Sequence, residues 1–362
     1  MLPIQKTCVF SVLCLGWVSA SAVCQTPPDK PAAPAPAQPA QPAARTDADK
    51  LLDEAVTRMG KLGAYDVRMQ HHLRNEGVRV RSSARLVVAP GSRLYYESQI
   101  EMGDAKGVTK SICDGKTIWR LRLSGEEKAL SHYELEKLQA AIAKMREDPG
   151  DLDAAKVQVI ADNIAAEHGF NGIRPMLVDL QKRLTFTKHE AATLRRADKP
   201  DAAVHLLEGQ WNKSMLEKLI PPKRGDDPKV VDPMKLWEER KLLVGIARIC
   251  RLYLARDGKE PSADSLWPLR IEWWGPVDVA GSDQLLTAID FDLSLAAVPE
   301  STFQPTAEER EIKLQEFDPK FLVAQHRERA LMQQQALENR TRGALSPLST
   351  APLSPTTPAK KP

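Results

Sequence analysis

The feature that most limits the fold is a stretch of period-two alternation from Ala64 to Leu123. Tyr65, Val67, Met69 and Leu73 alternate with Asp66, Arg68, Gln70 and Arg74. After the Asn75-Glu76-Gly77 turn, Val78, Val80, Ala84, Leu86 and Val88 alternate with Arg79, Arg81, Ser83 and Arg85. Pro90-Gly91-Ser92 turns the chain into a third run carrying Leu94, Tyr96, Ile100 and Met102. Gly103–Gly107 leads into Val108–Asp114, and Asp114-Gly115-Lys116 is a tight hairpin signal before Thr117–Leu123. Successive strand side chains point to opposite faces. Five such runs with short turns therefore predict an antiparallel meander, one face buried and the other solvated and rich in arginine.

Helical periodicity flanks this meander. Asp47–Gly63 reads as a helix, capped by Asp47 or Asp49, with Leu51, Leu52, Ala55, Val56 and Met59 on one face. Beyond the strands, Ser131 and Glu134 form a capping-box signature ahead of a helix over Tyr133–Met145. Leu152–Glu167 and Gly172–Lys182 read as two more helices. Period two then returns in Leu184–Glu190, Val204–Trp211, Arg251–Arg256, Leu269–Trp274 and Leu285–Leu293, interrupted by a polar excursion, Pro221–Pro233, and a helix-like Met234–Arg248. This order predicts an α+β domain: a highly curved antiparallel sheet, an unclosed half-barrel, with helices packed as a lid on its apolar face. A hollow half-barrel and a filled core give the same string of elements.

The ends differ in composition. Lys6 precedes an apolar run from Cys8 to Val18, and Ala20-x-Ala22 fits a signal peptidase site, so residues 1–22 read as a secretory signal. The run is about half the ~20 residues a membrane span needs, so no transmembrane helix is expected in the mature chain. Cleavage leaves Cys24, whose lipidation is a rival reading that the bulk of Val23 disfavours. Residues 23–46 are a Pro/Ala-rich linker and 343–362 a Pro/Ser-rich tail, both too poor in apolar side chains to fold. Between them lie the domain proper, 47–306, and a charged, Gln-rich segment, 307–342, read as a solvated helical extension. The expected location is the periplasm or cell envelope.

No catalytic signature stands out. His71-His72, in a strand, project to opposite faces and cannot share a metal. No Walker A loop, Gly-x-Gly-x-x-Gly or Gly-x-Ser-x-Gly motif is present, and no His/Cys/Asp/Glu spacing suits a zinc or iron site. No cofactor and no enzymatic activity are expected. A formal net charge of +3 over 362 residues makes no nucleic-acid footprint. Cys113 and Cys250 admit two readings, a disulfide or two buried strand cysteines. The positive signal is apolar: Trp119, Trp211, Trp237, Trp267, Trp273 and Trp274 follow the signal, several of them in or beside strands.

Several stretches resemble the LolA-like superfamily of exported proteins, which includes the periplasmic lipoprotein carriers. They are Ser111–Trp119 with its Asp-Gly hairpin, Leu86–Glu97 with its Pro-Gly turn, Arg251–Leu254 with Leu266–Trp273, and Val298–Pro305. The resemblance implies an unclosed half-barrel whose cavity, between sheet and lid, holds a lipid or the acyl chain of a lipoprotein. Val67, Met69, Val78, Val80, Leu86, Val88, Leu94, Tyr96, Trp119, Leu121, Ile271, Trp273 and Ile289 are the expected lining. The alternative is an envelope sensor or scaffold that binds a protein partner through the same fold and its C-terminal extension.

Overall fold

The computed structural model describes residues 45–343, apart from 76–77, 104, 126, 151, 171, 197–198, 216–246, 257–264 and 277–282. The signal, nearly all of the linker, the tail and almost the whole Pro221–Arg248 excursion, Trp237 included, lie outside the described residues. Helix α1 (Asp47–Met59) is followed by six strands: β1 (Tyr65–Asn75), β2 (Val78–Ala89), β3 (Arg93–Met102), β4 (Ala105–Asp114), β5 (Thr117–Ser124) and β6 (Glu127–Glu134). Helices α2 (Leu135–Glu147), α3 (Ala154–Glu167) and α4 (Ile173–Arg183) come next. Then come β7 (Leu184–Arg196), β8 (Lys199–Trp211), β9 (Ile249–Ala255), β10 (Pro268–Pro276) and β11 (Asp283–Ser294). A short helix α5 (Ala307–Arg310), strand β12 (Leu314–Glu316) and helix α6 (Pro319–Gly343) close the order.

All twelve strands join one sheet in the order β12-β6-β5-β4-β3-β2-β1-β11-β10-β9-β8-β7. Two antiparallel meanders, β1–β6 and β7–β11, meet where β1 pairs with β11, and only the β12–β6 pair is parallel. The sheet is unclosed, with β12 and β7 at its edges. The helices reach toward both ends: α1 and α4 touch β7, while α2 touches β6 and is joined to α3 and α6. The sheet therefore curls around its helices, and the α+β class and half-barrel form read from the sequence are those observed.

The local signals worked through different residues than expected. Thr46, not Asp47 or Asp49, caps α1: its side chain accepts from the Asp49 amide, and the Asp49 carboxylate accepts from the Thr46 amide. The Ser131/Glu134 signature is no cap. Ser131 lies within β6, paired with Arg120, and the helix begins at Leu135 with no side-chain cap from Glu134. The extension is also corrected. β12 pairs with β6, and Leu322 and Val323 of α6 are buried in the main core, so the folded domain continues past residue 306. Cys113 and Cys250 are free and buried, in β4 and β9, with β3, β2, β1, β11 and β10 between those strands. The reading as two strand cysteines holds.

Candidate functional site

The register defines the inner face, toward the helices. Cys113, Leu94, Val88 and Tyr65 lie in one row across β4 to β1. Tyr96, Leu86, Val67 and Leu293 form the next, and Met69 with Phe291 another. Ile289, Ile271, Leu252 and Leu207 continue the face across β11 to β8. Trp273 stacks on Trp211 with ring centroids 5.2 Å apart. Against this wall lie Leu52, Ala55 and Met59 of α1, Leu138 and Met145 of α2, Ile160 and Ile164 of α3, and Leu177 and Leu180 of α4. The corner between α3 and α4 rests on β3, close enough that a Cβ on Gly169 would stand 2.6 Å from Tyr96 Cβ.

Eight of the thirteen expected lining residues are thus core: Val67, Met69, Leu86, Leu94, Tyr96, Ile271, Trp273 and Ile289. Val88 packs half-buried against them. Val80 shares their face and borders a void of about 10 Å³ with His71, Leu73, Ser82 and Ile100. That is room for about one water molecule. The side chain of Val78 lies outside the described residues. Trp119 and Leu121 are corrected: they face outward. Cys113 is paired with Ile118, so on β5 the inward positions are Ile118, Arg120 and Arg122.

That reversal creates the most unusual chemistry of the inner face. Arg120 pairs with Glu167, the last residue of α3, and His326 Nε2 of α6 lies 2.8 Å from the second oxygen of the same carboxylate. Arg120 and Glu167 are only 14% and 15% exposed. Burial works against the charge on Glu167. The hydrogen bond from His326 and the Arg120 charge overcome it and hold the carboxyl below the usual carboxylate range. Burial, with the charge of Arg120 beside it, pushes Arg122 down. The rows that contain these arginines continue with Ser111, Thr109 and Ser98. Ser111 Oγ and Arg120 Nε are buried without a hydrogen-bond partner among the described residues. The inner face is therefore apolar over most of its area, with a cationic, hydroxyl-lined quarter on β3 to β5.

His168 adjoins this quarter and is fully buried. Its Nδ1 donates to the Ile164 carbonyl at 2.6 Å and its Nε2 accepts from the Tyr133 hydroxyl, so both nitrogens of a neutral ring are satisfied. Burial, then the Arg120 charge, lowers its pKa to about 4. Burial, then the charge of His72, does the same to His71, again to about 4. Both folded values lie below the unfolded value near 6.5. Their stabilising effect is therefore complete above pH ~6.5 and declines as acid protonates the unfolded chain first. We expect each histidine to remove on the order of 1–2 kcal/mol between pH 7 and pH 5. Urea midpoints across that range should fall, and His71→Phe should flatten the slope.

The outer face carries a second feature. Cross-strand ion pairs such as Arg85–Asp66 at 2.7 Å and Arg270–Asp290 at 2.6 Å cover much of it. Over β3 to β6 the segment 298–314 wraps across. Phe303 packs with Val87, Ala89 and Tyr95, Lys110 pairs with Glu309 at 2.5 Å, and β12 adds to β6. Between this wrap and the sheet lies an open groove of about 400 Å³ lined by Trp119, Leu130, Gln304, Pro305, Arg310 and Leu314, with Asp114 at its margin. No local pattern marks it, because its two walls, β5–β6 and the 304–314 segment, lie far apart in the chain.

Among the described residues, no helix is long and apolar enough to cross a membrane, and no group of three or more His, Cys, Asp or Glu could hold a metal. No family model matches the chain, and no curated protein matches its sequence. Solved structures align loosely. The crystal structure of LprF from Mycobacterium bovis covers 70% of this chain and 95% of its own, at 12% identity and a TM-score of 0.32. MucB covers 72% of this chain and 64% of its own, at 13% identity and a TM-score of 0.27. The LolA superfamily protein NE2245 from Nitrosomonas europaea covers 71% and 97%, at 11% identity and a TM-score of 0.23.

Proposed function

We propose that this chain is an exported, non-enzymatic binding protein that takes an acyl chain, of a lipid or a lipoprotein, between sheet and helices. The observation that carries the reading is the juxtaposition on one inner face of an apolar wall and two inward arginines. The wall suits an alkyl chain, which gains about 0.8 kcal/mol per buried methylene. Arg120 and Arg122 suit an anionic head group, and Glu167 occupies that place as an internal anion. The helix layer fills the space against the wall, so entry of a chain requires that layer to shift, and replacement of Glu167 by the ligand's own anion would release α3 and α6 from β5. The reading of residues 1–22 as a secretory signal supports an envelope location for such a site, where acyl chains need handling.

The groove beside Trp119 favours a second reading, a protein partner docked on the outer face, since its volume falls in the range of ordinary binding sites. One experiment separates the two. Protein purified from its own envelope is examined by native mass spectrometry and lipid extraction, then delipidated and titrated with anionic and neutral fluorescent fatty acyl probes. The lipid reading expects bound acyl species, preference for the anionic probe, loss of that preference in Arg122→Gln, and no effect of Trp119→Ala. A chain that neither carries nor takes up any acyl probe excludes it. Partner capture sensitive to Trp119→Ala or Arg310→Ala then supports the second reading. Truncation from Glu308 is unsuitable as a test, because it removes Leu322, Val323 and His326 from the folded core.

A further inference from the structure

On the β7–β8 hairpin, His189 lies opposite Leu207, and His205 lies opposite Ala191. Both histidines therefore share the face on which Leu207 is buried, as a diagonal cross-strand pair beyond the edge of the core. His189 Nε2 stands 3.0 Å from His205 Nδ1, with ring centroids 5.1 Å apart and planes inclined at 48°. One ring nitrogen thus donates to the other across the two strands. The first turn of α1 is beside them. Its Asp47 carboxyl, hydrogen-bonded by Lys50 at 2.8 Å, is held below the usual carboxylate range by that ammonium first, with a smaller contribution from His189.

We propose that His189 and His205 form a two-imidazole clamp for a late first-row divalent cation, with copper(II) bound most tightly. An imidazole–metal bond is about 2.0–2.1 Å, and two such bonds at 90–109° place the nitrogens ~2.9–3.3 Å apart. The observed 3.0 Å lies inside that interval. Without metal, the same two nitrogens share one proton as a hydrogen bond. On binding, the ring that carries this proton moves it to its other nitrogen, so both converging nitrogens present lone pairs and no net proton is released. No third protein ligand is in place among the described residues, so water completes the coordination sphere. The preference for copper over nickel and zinc follows from the general order of divalent affinities at nitrogen sites. The cation would tie β7, an edge strand, to β8 and so stiffen the exposed end of the sheet.

The test uses the full chain titrated with copper(II), read by electron paramagnetic resonance and by calorimetry. The expected result is one equivalent bound with the hyperfine pattern of two nitrogens. It should be lost in both His189→Gln and His205→Gln and kept in His72→Gln, whose side chain is exposed on β1. Metal-free unfolding of each variant, matched to the parent, shows that the loss is not a loss of fold. A two-nitrogen signal that persists in both variants, a signal from one nitrogen, or no binding step that the two substitutions remove overturns the proposal.

Discussion

Replacing Glu167 with alanine is expected to cost the fold about 4–5 kcal/mol, near the upper end for removal of one partner from a buried pair. The reason is its company. Arg120 donates to it from β5, His326 donates from α6, and the field of Arg122 also falls on it. Without Glu167, the largely buried Arg120 guanidinium loses its anion while the like charge of Arg122 stays beside it. Arg120→Ala should cost less, about 3 kcal/mol, because Glu167 keeps His326 as a donor and Arg122 nearby. The paired change Arg120→Met with Glu167→Leu removes both charges at similar volume and should come close to the parent. Urea midpoints decide the ranking. Under the lipid reading, an anionic amphiphile should restore part of the Glu167→Ala loss by taking the vacated position, whereas a neutral one should not. A Glu167→Ala variant as stable as the parent shows that the network contributes nothing.

The sheet was legible in the sequence to the degree that its two faces differ in solvation. In β1 and β2, Val67, Met69 and Leu86 face inward while Asp66 and Arg85 pair outside, and period-two alternation reads directly. β5 breaks the rule. Past Ile118, its large apolar residues, Trp119, Leu121 and Leu123, point outward, and Arg120 and Arg122 point in. Alternation locates a strand but does not say which face is covered, and here both are: α3 supplies an anion and α6 a histidine inside, and segment 298–314 supplies apolar cover outside. Two other elements depart from their local pattern. The thin apolar stripe of 307–342 suggested a solvated helix, yet Leu322 and Val323 suffice to anchor α6 because α2 and α3 provide the rest of the interface. Strand β6 was hidden by Ser131 and Glu134, whose spacing imitates a helix start although the backbone there belongs to a sheet ladder. The arginine cluster had no local signal at all, since Glu167 lies 47 residues from Arg120 and His326 lies 159 from Glu167.

Gly169→Ala tests how the helix layer is seated. The backbone at Gly169 has φ +80°, and a Cβ there would meet Tyr96 Cβ at 2.6 Å and Cγ at 2.7 Å. These atoms lie next to the β3 backbone, and Tyr96 is 1% exposed, so the ring cannot swing away. Two costs therefore combine: roughly 1–2 kcal/mol for a left-handed alanine and about 1–3 kcal/mol for overpacking. The expected loss is ~2–5 kcal/mol in denaturant unfolding. Gly91→Ala supplies the reference, because its φ is +78° but the added methyl meets open space, so only the backbone part, ~1–2 kcal/mol, should appear. The difference between the two variants reports the contact of the α3–α4 corner with the sheet, free of the conformational cost. If that corner is the pivot on which the helices rise to admit a chain, Gly169→Ala should also raise the affinity for an acyl probe, since the strained closed state competes less well with the opened one. Equal losses in the two glycine variants would mean that the corner does not bear on Tyr96. A normal loss with unchanged probe affinity would place the opening elsewhere, at the α6 end held by His326.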